Sequence, residues 1–463
     1  MTPPPTLRCA ALLALAFTAC ATDDETARDD ATGRRDAAAD VPRDAAADVP
    51  RDALSDAPAE ASPGDAPVPN VVDAARDTNA LDAALDVMPD VAVVGPDASV
   101  WTTGSLGDPL PSRSELRALP GGGEGGPVVT SNNPEVFRGD GVLYGTARAA
   151  TLRGGATYPL RGDFGVYLHH LNRSGARRWV TLMVTNPGTA PVTVQARGSG
   201  YNQSETGGLG LGSSPDYRVS DEWIHDRPGT VVPPTALAPL RPMAVWSNAV
   251  PDGAEVDGRF GLRTDGPVFV YVVVTSTGEL NDAITVSRTD APGDIARSGT
   301  PPPPFGREAG VYAHDTWRGT IAVDVPVAGR RVGYMVNTAT GGGMTPVQAF
   351  PALTRYDDSA QEAVGMYGNV YDLTVALRHD GDGAAARRVR VSFASYAQGA
   401  ASRYWDGVGT VDGGDVVLRH TPTSRVTTLA EVTLPAGGAR SLRFRAMVPG
   451  LAAIPQALWI ESL

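Results

Sequence analysis

From Trp101 onward the apolar positions fall in short runs that alternate with polar ones, and Gly, Pro, Asn and Asp cluster between the runs. A period of two interrupted by turn chemistry is the pattern of strands with one buried face, and its repetition predicts an all-β sandwich or barrel. Arg178–Val184 is one such run, Asn186–Pro191 a turn-rich connection and Val192–Arg197 the next run, an order that predicts a hairpin. Gly261–Arg263 leads through Thr264-Asp265-Gly266-Pro267 into the apolar run Val268–Val274, which predicts a turn followed by a buried central strand.

A break follows at Ser298-Gly299-Thr300, where the four prolines Pro301–Pro304 predict a semi-rigid joint and a domain boundary. Beyond it the theme repeats. Tyr371–Leu377, the turn His379–Gly383 and Arg388–Phe393 predict a second hairpin, and Glu431–Gly438 followed by Ser441–Arg445 resembles the turn and late strand of immunoglobulin-like modules. The expected architecture is all-β: two immunoglobulin-like β-sandwich domains, 110–298 and 305–463, behind a disordered tether.

The first hundred residues have a different texture. Arg8 precedes an apolar stretch, Ala10–Ala19, too short to span a bilayer, so residues 1–20 are expected to be a secretory signal. Ala16-Phe17-Thr18-Ala19-Cys20 resembles a bacterial lipobox, with Phe17 where leucine is usual, and predicts lipidation at Cys20. Ala21 then resembles the sorting signal for the outer membrane, which makes the expected location the cell envelope, with the membrane as a partner through the lipid anchor. Residues 21–100 are expected to be a disordered acidic tether. An eight-residue unit, Arg35–Pro42, recurs at Arg43–Pro50 and in degenerate form at Arg51–Pro58. Its prolines block a continuous helix, and it holds too few large apolar groups to offset the ordering entropy. As a flexible coil such a segment spans on the order of 50 Å.

Composition then narrows the chemistry. All 39 basic residues are arginine, so a Walker-type phosphate loop, a Schiff-base enzyme and a pyridoxal site are excluded for want of an amine. The net charge of −13 belongs to the tether, which carries 19 acidic against 6 basic residues, and the remainder is nearly balanced. No nucleic-acid partner is expected, because nothing supplies a counterion-release term. Cys9 and Cys20 are the two cysteines, both before the expected mature domains, which excludes a disulfide framework and thiolate metal ligation there.

Several blocks, in order, resemble one family: Ser131–Val136, Phe164–Leu171, Asn186–Thr189, Arg263–Val270, Gly306–Val311, Pro351–Tyr356 and Tyr367–Thr374. The chain resembles the domain of unknown function 3370, a family of secreted, mainly cyanobacterial proteins, across about Leu116–Leu463. That resemblance implies neither an activity nor any catalytic residue.

The remaining candidates are single positions. His169 and His170 are adjacent on an expected strand and so point to opposite faces, which disfavours a shared metal. With Phe164, Val166 and Leu168 on the same face as His170, that ring is expected in the core. His225 near Asp221, Glu222 and Asp226 has ligand chemistry but the spacing of a polar loop. Asp380–Gly383 lacks the distal acid of a calcium loop, and Gly207–Gly212 lacks the strand and helix of a dinucleotide turn. Arg138-Gly139-Asp140 and Arg161-Gly162-Asp163 read as turn chemistry. No G-x-S-x-G elbow and no H-E-x-x-H helix occurs. No cofactor, metal or catalytic residue is therefore expected. Trp223, Trp317, Tyr404 and Trp405 are the candidate ligand contacts, suited to stacking on sugars if exposed. The expected function is a non-enzymatic binding or structural module whose partner is an envelope or extracellular polysaccharide, or another envelope protein. The alternative is a polysaccharide-active, glycoside hydrolase-like enzyme built on a carboxylate pair that proximity in space alone would reveal.

Overall fold

The alternating runs become strands that pack in facing layers. The structure, a computed structural model, describes residues 104–105, 116–147, 153–295, 306–337, 348–381, 385–396, 403–453 and 455–463. The expected signal with Cys20, the tether and the joint at 301–304 lie outside the described residues. All described residues belong to one unit, Ser99–Leu463, and no described helix is long and apolar enough to cross a membrane.

The first core lies between two layers. One holds strands Val128–Ser131, Leu160–Asn172, Val192–Asn202 and Thr230–Leu237, and the other Gly141–Gly145, Arg178–Thr185 and Pro242–Val250. Both layers share the 21-residue strand Glu255–Thr275. Its first part pairs with strands 160–172 and 192–202, and beyond a register break between Thr264 and Val268 its second part pairs with 178–185 and 141–145. Val166, Leu168, Phe260 and Leu262 from one layer and Leu182, Val184, Val270 and Val272 from the other meet in the same core. Each such side chain contributes roughly 1.5–3 kcal/mol on burial.

The second core repeats the arrangement. Strands Arg330–Val336, Arg387–Ser395, Val426–Leu434 and Gln456–Ser462 face Thr316–Asp324, Val370–Arg378, Trp405–Val411, Gly414–His420 and Ala439–Met447. Strands 316–324 and 370–378 pair in parallel, while 370–378 and 439–447 are antiparallel.

Both expected hairpins are corrected. Strand 178–185 pairs with 242–250 and 255–275, whereas 192–202 pairs with 230–237 and 255–275, so the connection through Asn186 crosses from one layer to the other. Likewise 370–378 and 387–395 lie in opposite layers, each with other partners. The expected turn at Thr264–Pro267 is a bend within one continuous strand. The physical reason is common to all three: the apolar positions on the two sides of each connection bury against one another across the core rather than side by side in one sheet.

The two halves also exchange strands. Gly122–Glu124 pairs with strand 316–324, and Leu116–Arg117 pairs with 330–336. Ala309–Tyr312 extends the first layer by pairing with Val128–Ser131 and is followed there by Phe350–Arg355. Leu119 therefore sits in the second core, and Ala309, Val311 and Tyr356 in the first.

One helix, Pro215–Ile224, lies over this framework. The Ser214 side chain caps its start by accepting from the Tyr217 N–H at 3.3 Å, proline occupies the first turn, and His225 caps its end. Val219 and Ile224 on its buried side pack with Val370 and Met447 of the second half.

Candidate functional site

Strand alternation sends the apolar residues of 160–172 and 255–275 into the first core and their polar residues to the opposite face. Tyr167 and His169 on one strand lie opposite Arg259 and Asp257 on the other, and Ser199 and Tyr201 continue the rows on strand 192–202. The rows extend to Thr130, opposite Tyr167, and to Glu308 beside strand 309–312. A polar sheet face ordinarily meets water. Here it is covered, and Tyr167, His169, Glu255, Asp257, Arg259 and Glu308 are all buried.

The cover is the helix 215–224 together with loops of the second half. The Tyr167 hydroxyl donates to Asp257 Oδ1 at 2.8 Å, and His169 Nδ1 lies 3.2 Å from the same oxygen. Gly450 closes this cluster so tightly that a Cβ there would lie 2.5 Å from His169 Nδ1 and 2.6 Å from the Tyr167 hydroxyl. Arg403 Nη1 stands 3.4 Å from Asp216 Oδ1 and 3.9 Å from Asp406 Oδ2. Asp406 also accepts from the Gly212 N–H at 2.9 Å and the Ser214 hydroxyl at 2.8 Å, which pins the glycine-rich loop before the helix. Arg259 donates to the Gly368 carbonyl at 2.8 Å and to Phe260 O at 3.0 Å, and its guanidinium lies 4.4 Å over the Trp223 ring.

Burial sets the charge states. It pulls His169 down, but the hydrogen bond to Asp257 and the charges of Glu255 and Asp257 outweigh it and hold the imidazole at about 9. Burial pushes Glu255 up to about 8, with His169 and Arg403 opposing and Asp216 and Asp257 adding to the rise. Asp257 and Asp406 are likewise raised by burial. Glu308 is pushed up to about 8 by burial. Among the described residues Glu308 Oε2, Glu255 Oε1 and Asp257 Oδ2 meet no hydrogen-bond partner. Removing polar oxygens from water in this way is costly for the ionised form, and for Glu255 and Asp257 the neighbouring His169 opposes that cost.

The candidate aromatic residues do not converge. Trp223, on the helix, is half-buried and lines a shallow cleft of about 30 Å³ with Arg197, Ser199, Glu222, Asp226 and Pro228. Trp317 is half-buried elsewhere, stacked on Phe350 with 6.3 Å between ring centres and donating to Pro120 O at 3.3 Å. Tyr404 and Trp405 are 1% and 0% exposed, the latter edge-on to Phe393 in the second core, so neither offers a face to a ligand.

The histidines are tied into the fold. His170 is buried, 2.9 Å from the Ser131 hydroxyl and 2.8 Å from Pro134 O, and burial lowers it to about 3. His225 bridges the Asp221 carboxylate at 2.9 Å and Asp415 at 2.7 Å, joining the helix end to strand 414–420. Among the described residues no group of three or more His, Cys, Asp or Glu is placed to hold a metal ion. Gly207–Gly212 forms a helix cap and the loop held by Asp406. Asp140 accepts from Ser276, and Arg138 pairs with Asp294 at 2.8 Å. The turn at His379 runs into residues 382–384, outside the described residues.

The buried cluster escaped the sequence reading. Its one signal was Glu255, Asp257 and Arg259 alternating with Val256 and Phe260, a pattern equally suited to a face in water.

A family model for "Protein of unknown function (DUF3370)" matches residues 114–209 and 279–402. No curated protein matches the chain. Among solved structures, the chain is 9% identical to Fet3p, a multicopper oxidase that functions in iron import; the alignment covers 64% of this chain and 52% of that one, with a TM-score of 0.09. The chain thus spans about half the length of that oxidase. It is 10% identical to the N-terminal CBM22-1–CBM22-2 tandem domain of Paenibacillus barcinonensis Xyn10C, over 71% of this chain and 99% of that one, with a TM-score of 0.12. Scores this low carry no argument about the fold or its role.

Proposed function

This chain belongs to the DUF3370 family of proteins of unknown function, a membership that brings no activity with it, and we propose that it is a non-enzymatic binding module anchored in the cell envelope. In this reading Cys20 carries the lipid, residues 21–100 form the acidic spacer, and the outer membrane is the site of anchorage. Each of the two cores is an immunoglobulin-like sandwich, and the pair presents one surface to an envelope or extracellular polysaccharide.

The observation that carries the reading is the employment of the acids. Asp216, Asp257 and Asp406 are each closed against an arginine, a histidine, a tyrosine or backbone N–H groups beneath the helix. Asp216 and Asp406 find their partners in the opposite half and so tie the halves together, while Asp257 is held within the first. A glycosidase instead sets two carboxyl groups on either side of a sugar in an open groove.

The test uses the full-length chain in detergent with soluble envelope and extracellular polysaccharides, measuring retention and the release of reducing ends in the same samples. Saturable binding without new reducing ends is the expected result. Release of reducing ends that grows with time overturns the reading in favour of a polysaccharide-active enzyme. Absence of binding to every polymer overturns the polysaccharide partner and points to another envelope protein.

A further inference from the structure

We infer that the cleft between strand 192–202 and the helix 215–224 is a subsite for one neutral sugar unit, with Trp223 as its platform. The inference rests on the proposed polysaccharide binding and adds the place and the chemical class of the ligand.

Trp223 is both partly open and fixed, and of the candidate aromatics it is the one that lines a cleft with charged and hydroxyl side chains. The Arg259 guanidinium lies against its ring at 4.4 Å, and Arg259 is itself buried and held by the carbonyls of Gly368 and Phe260. The ring edge packs over Gly261, where even a Cβ would lie at an ordinary contact distance of 3.4 Å. A rigid aromatic with an apolar body suits the C–H face of a pyranose, and Pro228 adds apolar surface beside it.

The polar groups around the ring are equally fixed. Glu222 accepts from the hydroxyls of Ser199 and Tyr201, the latter at 2.9 Å, and from Arg218 Nε at 3.3 Å. At the rim Arg197 and Asp226 pair at 2.6 Å, and Asp226 holds a left-handed backbone, φ 53°, which its short polar side chain tolerates. Both charge pairs are internally balanced. An ionic ligand meets no uncompensated charge in either pair, whereas hydroxyl groups can both donate to the carboxylates and accept from the guanidinium N–H groups. With a volume of about 30 Å³, the cleft admits one hydroxyl or hydroxymethyl group while the ring lies across its mouth.

The experiment compares the full-length chain with Trp223→Ala, Trp223→Phe and Glu222→Gln variants. The probes are dextran, laminarin, mannan and polygalacturonate, at low and at 0.5 M salt; the salt concentration is about the level at which exposed charge attraction is largely screened. Binding of the intact chain to a neutral polymer, unaffected by salt, is expected. Trp223→Ala should weaken that binding by about tenfold, the scale of one stacked aromatic contact. Trp223→Phe should restore most of it, which separates loss of the platform from loss of the fold. Glu222→Gln, which keeps the shape, should weaken it less. If the intact chain binds a neutral polymer and Trp223→Ala binds as well as it does, the subsite is overturned and the proposed function stands. Preference for polygalacturonate that disappears at high salt overturns the neutral class. Binding to none of the polymers overturns the proposed function together with the inference.

Discussion

Glu308 offers a direct measure of what burying the polar face costs. Its carboxyl is moved from 4.5 to about 8 by burial, so the native state holds a proton that the unfolded chain releases near 4.5. The contribution of this group is therefore fully present below about pH 4.5 and is lost as pH rises through about 8. Between those limits the loss runs at about 1.4 kcal/mol per pH unit, reaching about 3 kcal/mol at pH 7 and about 5 kcal/mol once the group is ionised in both states. Glu308→Gln removes the titration and keeps the size. The amide hydrogens it introduces shift stability equally at every pH and leave the slope to report the carboxyl. The assay is urea unfolding at intervals from pH 5.5 to 7.5, with Cys20→Ala as the common background so that no detergent is needed. The variant should lose stability with pH less steeply than its parent, by about 1.4 kcal/mol per unit. Parallel slopes in the two proteins would refute the argument, because a carboxyl that stays ionised in the native state contributes no such slope.

Asp257→Asn should lower the pKa of His169 from about 9, since its hydrogen-bonded carboxylate is a main opponent of burial; an NMR titration that still places the ring near 9 would assign the charge to another partner. Gly450→Ala should cost about 1–3 kcal/mol, because the new methyl overlaps His169, Tyr167 and Asp257; an unchanged urea midpoint would mean that the loop moves freely. Cys20→Ala should abolish fatty-acid labelling and release the chain from membranes, and retention of the label would refute the anchor.

Strand existence was legible in the chain, because a period of two with turn residues between runs has few other solutions. Strand neighbours were not. Asn186–Pro191 announces that the chain reverses, but a reversal places the next strand either beside the last one or across the core, and both bury the same apolar positions. The type I′ signal was present elsewhere: Asp412 and Gly413, at φ 50° and 82°, join the adjacent strands 405–411 and 414–420 as a true hairpin. For His170 the alternation sufficed, since its neighbours two and four residues back enter the core with it. For Asp257 and Arg259 it misled, because alternation tells which side a residue takes and nothing of what later covers that side. The same gap separates Trp223 from Trp405: composition makes them equal, and tertiary packing alone leaves one at the surface.

The exchange of strands between the halves has a consequence for the order of assembly. Strand 128–131 acquires its neighbour 309–312 only after the whole first half has been made, and strand 122–124 waits for 316–324. A nascent first half thus displays an unpaired β edge, the kind of surface that seeds wrong associations. Such a chain cannot complete its first half piecewise as it emerges. Its folding is a late event in biogenesis, and the interval before it is when a holdase chaperone would matter most.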